Sequence, residues 1–249
     1  MKSNDIKLTV LFDNECCNND LTSLWGFSCF IQTTNSTILF DTGSNGRVLL
    51  KNIEKKKLKI PSIDNIFLSH AHWDHIGGID SILELNSSVH IFVTSHISKN
   101  FIRDMKTLSN GVTIIEEKPT EILTDIYSTG YIGEQSEQSI ILNTDDGLII
   151  IAGCAHGGIE NIAKRAKKFF NKKILLLLGG FHLHSKNDQE ILKIIKTIKN
   201  LDTKFVAPSH CTGSRARELF KEEFKDNYID SGLGIEISFK ENDIINYCF

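Results

Sequence analysis

Apolar residues along the chain form short runs separated by polar or glycine-containing segments. Two runs, Leu148–Ile151 and Ile174–Leu178, are continuously apolar, which is typical of strands covered on both faces. Further apolar runs of strand length predict strands at Leu8–Phe12, Ser28–Gln32, Ile38–Phe40, Ile66–Leu68, Val89–Val93, Ile140–Leu142 and Phe205–Ala207.

Apolar residues at helical spacing lie between these strands. Ile159, Ile162, Ala163 and Ala166 share one face of a predicted helix, and lysines occupy the opposite face. The same spacing predicts helices near residues 191–201 and 216–224, and more weakly at 48–57. Strands in two clusters with amphipathic helices around them indicate an α/β fold, in which two sheets pack face to face with helices outside. No linker-like segment interrupts the sequence, so we predict a single domain over residues 1–249.

Composition and charge narrow the possible partners. Lysine and arginine number 28 against 31 acidic residues, and this net charge of -3 argues against binding to a nucleic-acid backbone. The apolar runs are too short to span a bilayer. We identify no secretory segment at the amino end, and we read the six cysteines as reduced thiols. We therefore expect a cytoplasmic protein with a small-molecule substrate and with no nucleic-acid or membrane partner.

One short segment concentrates side chains that bind metals. Residues 69–78 read Ser-His-Ala-His-Trp-Asp-His-Ile-Gly-Gly and place His70, His72, Asp74 and His75 within six positions. On an extended backbone His70 and His72 project to the same side. Imidazoles and a carboxylate are ligands that suit Zn²⁺, and also Fe or Mn. The segment therefore predicts a metal site at the end of a strand.

Three later strand ends also carry a histidine. His156, His182 and His210 each follow a predicted strand within a few residues, and loops at strand ends are where binding sites form from distant sequence. A fourth strand end offers Asp41, whose carboxylate could orient a ligand histidine without binding the metal itself. Because neighbours on an extended backbone alternate, we expect Cys211 to face away from the metal.

These motifs, taken in order, resemble the metallo-β-lactamase superfamily. The resemblance runs from Phe40-Asp41-Thr42-Gly43 through the His-x-His-x-Asp-His motif to the isolated histidines His156 and His210. It implies a four-layer αββα sandwich with one or two metal ions at one edge of the sheets. It assigns the ligands of the first ion as His70, His72 and His156, and those of the second ion as Asp74, His75 and His210.

Several phrases look closer to one branch of this superfamily. The segments that resemble the dihydropterin-methyl-ribofuranosylaminobenzene-phosphate synthase-like branch are Trp25–Ser28, Gly133–Ser139, Gly153–Ile159, Gly179–Leu183 and His210–Gly213. One departure matters, because many members with two metals have a bridging aspartate where this chain has His182. His182 is therefore a further candidate ligand, or a group that contacts substrate or the attacking water. The departure makes occupancy by a single ion more plausible.

The leading functional prediction is metal-dependent hydrolysis of an ester, thioester or phosphoester. A metal held by histidines and an aspartate lowers the pKa of bound water from 15.7 toward about 7, which supplies hydroxide at neutral pH. We expect one or two Zn²⁺ ions, with Asp74 holding the nucleophile and accepting its proton. Asp74 and His182 are thus the candidate catalytic residues.

Two other enzyme classes remain open. The branch resemblance implies a transferase that condenses a dihydropterin pyrophosphate with an aminobenzoate-type nucleophile. The aromatic side chains that could stack on such substrates are Trp25, Phe27, Trp73 and Phe181, although any of them could equally be a core residue. The second alternative is an iron-dependent oxidoreductase, because the superfamily also includes oxygen-reducing members.

Overall fold

The computed structural model describes residues 1–16, 20–240 and 243–248. The chain forms two compact units. The eight-strand unit comprises Ser3–Glu116 and Gly232–Phe249, and the six-strand unit comprises Met1–Lys2 and Glu117–Ser231. Each unit contains one β-sheet and its own helices, which confirms the predicted α/β class. The prediction of a single domain over residues 1–249 stays a prediction.

Strands and helices alternate along much of the chain. The strands are β1 (Lys7–Phe12), β2 (Ser28–Gln32), β3 (Thr37–Phe40), β4 (Asn65–Phe67), β5 (His90–Thr94), β6 (Gly111–Ile115), β7 (Thr120–Leu123), β8 (Ile126–Ser128), β9 (Ile140–Thr144), β10 (Gly147–Ala152), β11 (Ile174–Gly180), β12 (Thr203–Ser209), β13 (Ile235–Lys240) and β14 (Asp243–Cys248). The α-helices are α1 (Gly46–Lys55), α2 (Trp73–Ile76), α3 (Ile79–Leu83), α4 (Lys99–Leu108), α5 (Ile159–Phe170), α6 (Asp188–Asn200) and α7 (Ser214–Phe224).

The sheet of the eight-strand unit has the strand order β14-β13-β1-β2-β3-β4-β5-β6. Strands β3 to β6 are parallel, and Phe40 on β3 is aligned with Phe67 on β4. The carboxyl ends of parallel neighbours meet at one edge of a sheet. The segments that begin at Asp41 and Leu68 therefore leave the sheet side by side. Helices α1, α3 and α4 bury apolar faces in the core of this unit.

The sheet of the six-strand unit has the order β12-β11-β10-β9-β8-β7. Strands β10, β11 and β12 are parallel, and Ala152 is aligned with Gly179 while Gly180 is aligned with Ser209. Three loops therefore begin at one edge of this sheet. The core of the unit combines the apolar side chains of these strands with one face each of α5, α6 and α7.

Most predicted elements are confirmed within one to three residues at each end. The elements not predicted from the sequence are strands β6, β7, β8, β13 and β14 and helices α2, α3 and α4. Strand β7 was missed because its first two residues are exposed and its last two only half-buried, so it lacks an apolar run. Helix α4 buries only Ile102 and Met105. Its amphipathic pattern is therefore sparse.

Two further predictions concern membrane-spanning segments and the state of the cysteines. Within the described part of the chain, every helix is too short or too polar to cross a membrane. Cys16, Cys29, Cys154 and Cys211 carry thiols, as predicted. Cys17 lies outside the described residues, and so does the side chain of Cys248.

Glu236 connects β13 to two other parts of the eight-strand unit. Its carboxylate lies 2.5 Å from Nζ of Lys7 on β1 and 2.7 Å from Nζ of Lys56, which directly follows α1. The side chain of Lys56 is only 6% exposed, so its ammonium group depends on this carboxylate. Burial raises the pKa of Glu236, but the hydrogen bonds from Lys56 and Lys7 outweigh burial, and the pKa lies below its ordinary value.

Replacing Glu236 with glutamine should lower the free energy of unfolding by about 1–2 kcal/mol at pH 7, because the Lys56 ammonium loses its counterion. A carboxyl group whose pKa is depressed by folding stabilises the protein above its unfolded pKa, and this contribution is lost as the pH falls through the folded pKa. The difference between the two proteins should therefore shrink at acid pH. Urea unfolding at pH 7 and pH 4, in the presence of a chelator, measures both quantities.

Glu218→Gln is the matched control, because Glu218 pairs with Arg215 where both side chains are more than half exposed. That variant should change the free energy of unfolding by only a few tenths of a kcal/mol, as is common for exposed pairs. An equal loss in both variants, or a loss for Glu236→Gln that does not depend on pH, would contradict the role of this carboxylate.

Candidate metal-binding sites

The histidine-rich segment follows β4 directly. Leu68 and Ser69 continue from the strand, His70 and His72 come next, and helix α2 begins at Trp73. His70, Asp74 and His75 are buried, with 1%, 6% and 0% of each residue exposed. The structure therefore gathers the four predicted side chains of this motif at one end of the sheet of the eight-strand unit.

Asp41 orients this segment through three hydrogen bonds. Its Oδ1 accepts from the backbone N–H of Ser69 at 2.7 Å, and its Oδ2 accepts from the Ser69 hydroxyl at 2.7 Å. The same Oδ2 lies 2.6 Å from Nδ1 of His75. Asp41 is fully buried and has a left-handed backbone (φ 53°), which aspartate tolerates better than most residues. This orienting role of Asp41 agrees with the prediction from the sequence, which does not reveal the histidine partner.

The contact with Asp41 fixes the proton on the His75 ring. A carboxylate only accepts, so Nδ1 of His75 carries a proton, and in the neutral ring Nε2 keeps its lone pair. Nε2 of His75 lies 3.7 Å from Oδ2 of Asp74. Two donor atoms suited to a cation, one nitrogen and one carboxylate oxygen, therefore lie next to each other.

Ser69 sets the ring of His70 in a similar way. The single hydroxyl proton of Ser69 is donated to Asp41, so Nδ1 of His70, 2.9 Å from the hydroxyl oxygen, is the donor in that contact. This leaves Nε2 of His70 as an acceptor. It lies 3.0 Å from Nδ1 of His72. Two nitrogens bound to one tetrahedral zinc at about 2.0–2.1 Å would lie about 3.3 Å apart, so the pair fits one ion closely.

The loop before β2 packs against the motif helix. The backbone N–H of Phe27 donates to the carbonyl oxygen of Asp74 at 3.2 Å. A Cβ atom on Gly26 would lie 2.4 Å from that same oxygen, so only glycine permits this approach. The neighbouring indole of Trp25 is 47% exposed, and that of Trp73 is 64% exposed. Both are available to contact a ligand.

Two of the predicted stacking residues lie in the interior instead. Phe27 is 0% exposed and packs edge-on against Phe40, while Phe181 is 1% exposed and packs against Phe220. For these two residues the core alternative holds, and neither is available to stack on a substrate. Each occupies a core position next to a functional loop.

The three later histidines all lie in the six-strand unit. His156 follows β10, His182 follows β11, and His210 begins a single 3-10 turn, His210–Thr212, after β12. These strands are parallel neighbours, so the three loops begin at the same edge. The rings of His156 and His182 approach with centroids 4.4 Å apart. The hydroxyl of Thr212 ties two of the loops together by accepting from the backbone N–H of Phe181 at 3.1 Å.

Glu137 holds the loop after β10, and the sequence interpretation missed this role. Its carboxylate accepts three backbone N–H groups, from Cys154 at 2.7 Å, Ala155 at 2.8 Å and His156 at 2.8 Å. Ala155 adopts a left-handed backbone within this loop (φ 58°), and the three bonds stabilise that turn. No local spacing in the sequence links residue 137 to residue 156, so only the folded chain reveals the contact.

Cys154 belongs to two sets of donor atoms in this unit. The Cys154 thiol forms one set with ring nitrogens of His156 and His182, and a second set with a ring nitrogen of His210 and the Cys211 thiol. Within each set every donor atom lies within 4.8 Å of the others. His184 belongs to neither set. Its Nδ1 lies 3.3 Å from the backbone carbonyl oxygen of Cys211.

The expected orientation of Cys211 was wrong. The alternation argument requires an extended backbone, whereas residues 210–212 form a 3-10 turn that keeps the Cys211 thiol near His210. Burial raises the pKa of this thiol, but hydrogen bonds with Cys154 and His182 and the nearby His210 outweigh burial, and the pKa lies well below its ordinary value. The same hydrogen bond to Cys211 raises the pKa of His182, against the opposing effect of burial.

The donor sets in both units are chemically compatible with metal binding. The eight-strand unit offers oriented nitrogens and a carboxylate, and the six-strand unit offers nitrogens and thiols, all of which are ligands of zinc and related ions. The assignment of His156 and His210 to the same ions as the motif residues stays a prediction. So does the proposed catalytic role of His182.

A family model described as the metallo-beta-lactamase superfamily matches residues 26–210. The 7,8-dihydropterin-6-methyl-4-(beta-D-ribofuranosyl)-aminobenzene-5'-phosphate synthase of Methanocaldococcus jannaschii is 28% identical over 289 aligned positions, which cover 96% of this chain and 98% of that protein. An uncharacterized protein of the same archaeon is 30% identical over 240 positions, with 84% of this chain and 91% of the relative covered.

Among solved structures, the crystal structure of Tm1679, described as a metal-dependent hydrolase of the beta-lactamase superfamily, is 28% identical. It superimposes with a TM-score of 0.80 over 95% of this chain and 100% of its own. The fold implied by the sequence motifs is therefore confirmed, and so is the resemblance to the synthase branch. Since the superfamily model covers most of its length, this chain belongs to the metallo-β-lactamase superfamily.

Proposed function

We propose that this protein is a metal-dependent hydrolase that cleaves an ester, thioester or phosphoester bond of a small molecule. The observation that carries the proposal is the pair of ring nitrogens, Nε2 of His70 and Nδ1 of His72, 3.0 Å apart beside a histidine oriented by the buried Asp41. The likeness to Tm1679 over its whole length supports the same reaction class.

Zinc is the ion that we propose, because neutral imidazoles and a carboxylate suit it; iron and manganese are the alternatives. When bound, such an ion lowers the pKa of a coordinated water toward about 7 and polarises the bond to be cleaved. His70 and His72 would hold the first ion, and Asp74 and His75 a second one. His156, His182 and His210 complete the proposed ligand set.

Protein groups then supply orientation and proton transfer. Asp41 keeps the proton of His75 on Nδ1, which directs Nε2 toward the ion. Asp74 is the proposed acceptor for the proton of the attacking water, because its carboxylate lies beside Nε2 of His75 and only 6% of the residue is exposed. Cleavage needs no serine or cysteine nucleophile in this scheme.

A transferase is the second candidate, and two observations favour it. The synthase of M. jannaschii is as similar in sequence as Tm1679 is. In addition, the exposed indoles of Trp25 and Trp73 belong to segments that contain or contact the histidine-rich motif. Aromatic faces of this kind stack on flat heterocycles. Under this alternative the protein would join a dihydropterin pyrophosphate to an aminobenzoate-type nucleophile.

The proposal includes the substrate class and the cellular location that the sequence predicts. A small-molecule substrate in the cytoplasm agrees with the slight excess of acidic residues and with thiols as the state of the described cysteines.

Replacing His72 with alanine should reduce the zinc content and lower turnover by more than about 100-fold, because the first ion loses a ligand. Elemental analysis and hydrolysis of p-nitrophenyl acetate, bis-p-nitrophenyl phosphate and an acyl thioester provide the measurements. His96→Ala is the control, since His96 is an exposed histidine of the same unit outside the motif. Wild-type turnover in His72→Ala protein that contains no metal would overturn the proposal.

Replacing Asp41 with asparagine should weaken zinc affinity by about 10–100-fold while leaving every proposed ligand in place. The amide is nearly the same size but lacks the negative charge that fixes the His75 proton. Competition with a chromophoric chelator measures the affinity, and thermal unfolding checks that the variant is folded. Asp80→Asn, an exposed change on α3, is the control. Equal affinities in a folded Asp41→Asn protein would contradict the orienting role.

Hydrolysis and transfer differ in their need for a second substrate. If the protein is a hydrolase, the ester bond is cleaved at the same rate with and without an aromatic amine, and calorimetry with a dihydropterin pyrophosphate shows no binding. Product that forms only when a 4-aminobenzoate derivative is present, together with binding of the pterin, would establish the transferase instead. Substituting Trp73 with alanine should then weaken pterin binding, because an exposed stacking surface is lost.

A further inference from the structure

The six-strand unit contains two buried thiols that the proposed mechanism does not use. Cys154 and Cys211 are 4% and 3% exposed, and they follow the parallel strands β10 and β12. Sγ of Cys211 lies 3.6 Å from the backbone oxygen of Cys154. Buried cysteines are often inert packing residues. Cys154 and Cys211, however, have histidines near them as well as apolar side chains.

The donor atoms of Cys154, Cys211 and His210 form a compact set. Sγ of each cysteine and one ring nitrogen of His210 lie within 4.8 Å of one another, and all three residues are buried. Around a tetrahedral zinc with Zn–S bonds of about 2.3 Å, the donor atoms would be about 3.6–3.8 Å apart. A movement of about 1 Å would therefore bring the three onto one ion.

The loops that present these groups are held in place by contacts independent of any ion. Glu137 binds the backbone N–H groups of residues 154–156, and the Thr212 hydroxyl donates to the carbonyl oxygen of Ser209 at 2.6 Å. Gly180 makes room between the loops, since a Cβ atom there would lie 2.7 Å from Sγ of Cys211. A site whose backbone is already ordered requires little reorganisation to bind an ion.

We propose that Cys154, Cys211 and His210 bind a thiophilic metal ion, of the zinc class, through two sulfurs and one nitrogen. Both thiols lose their protons to solvent on binding. The proposal shares with the proposed function only the assumption that His210 binds metal, and it gives that ion two ligands that the superfamily resemblance does not assign.

The sulfur ligands can be detected without an activity assay. The reduced full-length protein, loaded with Zn²⁺, should show in X-ray absorption a sulfur shell at about 2.3 Å besides nitrogen or oxygen at about 2.0–2.2 Å. Loading with Co²⁺ instead should give an intense near-ultraviolet sulfur-to-cobalt charge-transfer band. Zinc bound by nitrogen and oxygen alone would overturn the proposal, and this measurement requires no variant.

Variants then identify the ligands. Cys154→Ser and Cys211→Ser should each reduce the cobalt band to about half, and the double variant should abolish it, because each thiolate contributes one sulfur–metal bond. Cys29→Ser is the matched control: Cys29 is a fully buried thiol on β2 in the other unit, and burial raises its pKa. A band that persists in the double variant, or disappears in Cys29→Ser, would refute the assignment.

The outcomes separate this proposal from the proposed hydrolysis. Sulfur ligation in a protein that hydrolyses nothing would support the thiol site and contradict the hydrolase. Hydrolysis by a protein whose metal has no sulfur ligand would support the hydrolase and contradict the thiol site. A protein that binds neither Zn²⁺ nor Co²⁺ would overturn both.

Discussion

Asp41 carries a carboxylate in the interior of the eight-strand unit, where an uncompensated charge would be strongly destabilising. Three donors compensate it, and they belong to Ser69 and His75. Two of these contacts also determine where a proton lies: on Nδ1 of His75 and, through the Ser69 hydroxyl, on Nδ1 of His70. The remaining ring nitrogens are left as acceptors before any ion arrives. The metal chemistry proposed for this unit depends on that one buried charge, because a different tautomer would present N–H groups to a cation.

Glu137 performs a related task in the six-strand unit, although it orients backbone instead of rings. The histidine-rich motif could be predicted because its spacing is local, and Asp41 could be predicted because a strand end precedes it. Neither a local spacing nor a preceding strand end marks the role of Glu137. Its partners begin 17 residues later in the chain. The orientation of Cys211 was predicted wrongly, because a 3-10 turn replaces the extended backbone on which side chains alternate. Strand β13 was missed even though Ile235, Ile237 and Phe239 alternate with polar residues. Short, half-buried strands such as β7 carry too little apolar pattern to be predicted.

Membership of the superfamily leaves the reaction open, because a fold hosts many chemistries and the site determines which one occurs. Here the two relatives with informative names are equally similar in sequence and differ in reaction. Both reactions would use the same ions, whether to activate water or to stabilise a pyrophosphate leaving group. The difference must therefore lie in what surrounds the ions. Trp25 and Trp73 are exposed while Phe27 and Phe181 are core residues, so of the four aromatic candidates only the two indoles can form a stacking surface.

The histidine at position 182 removes a negative charge that a bridging aspartate would supply to a pair of cations. In the six-strand unit the groups able to replace that charge are the thiols of Cys154 and Cys211, which lie next to the histidines that follow β11 and β12. Thiolates are softer ligands than carboxylates, so this exchange would favour zinc over manganese or magnesium. It would also reduce the positive charge at the ion more than neutral imidazoles do, and an ion with less charge acidifies water less. Exchanging an aspartate for thiols would thus alter both metal preference and the pH range of catalysis, while the fold stays the same.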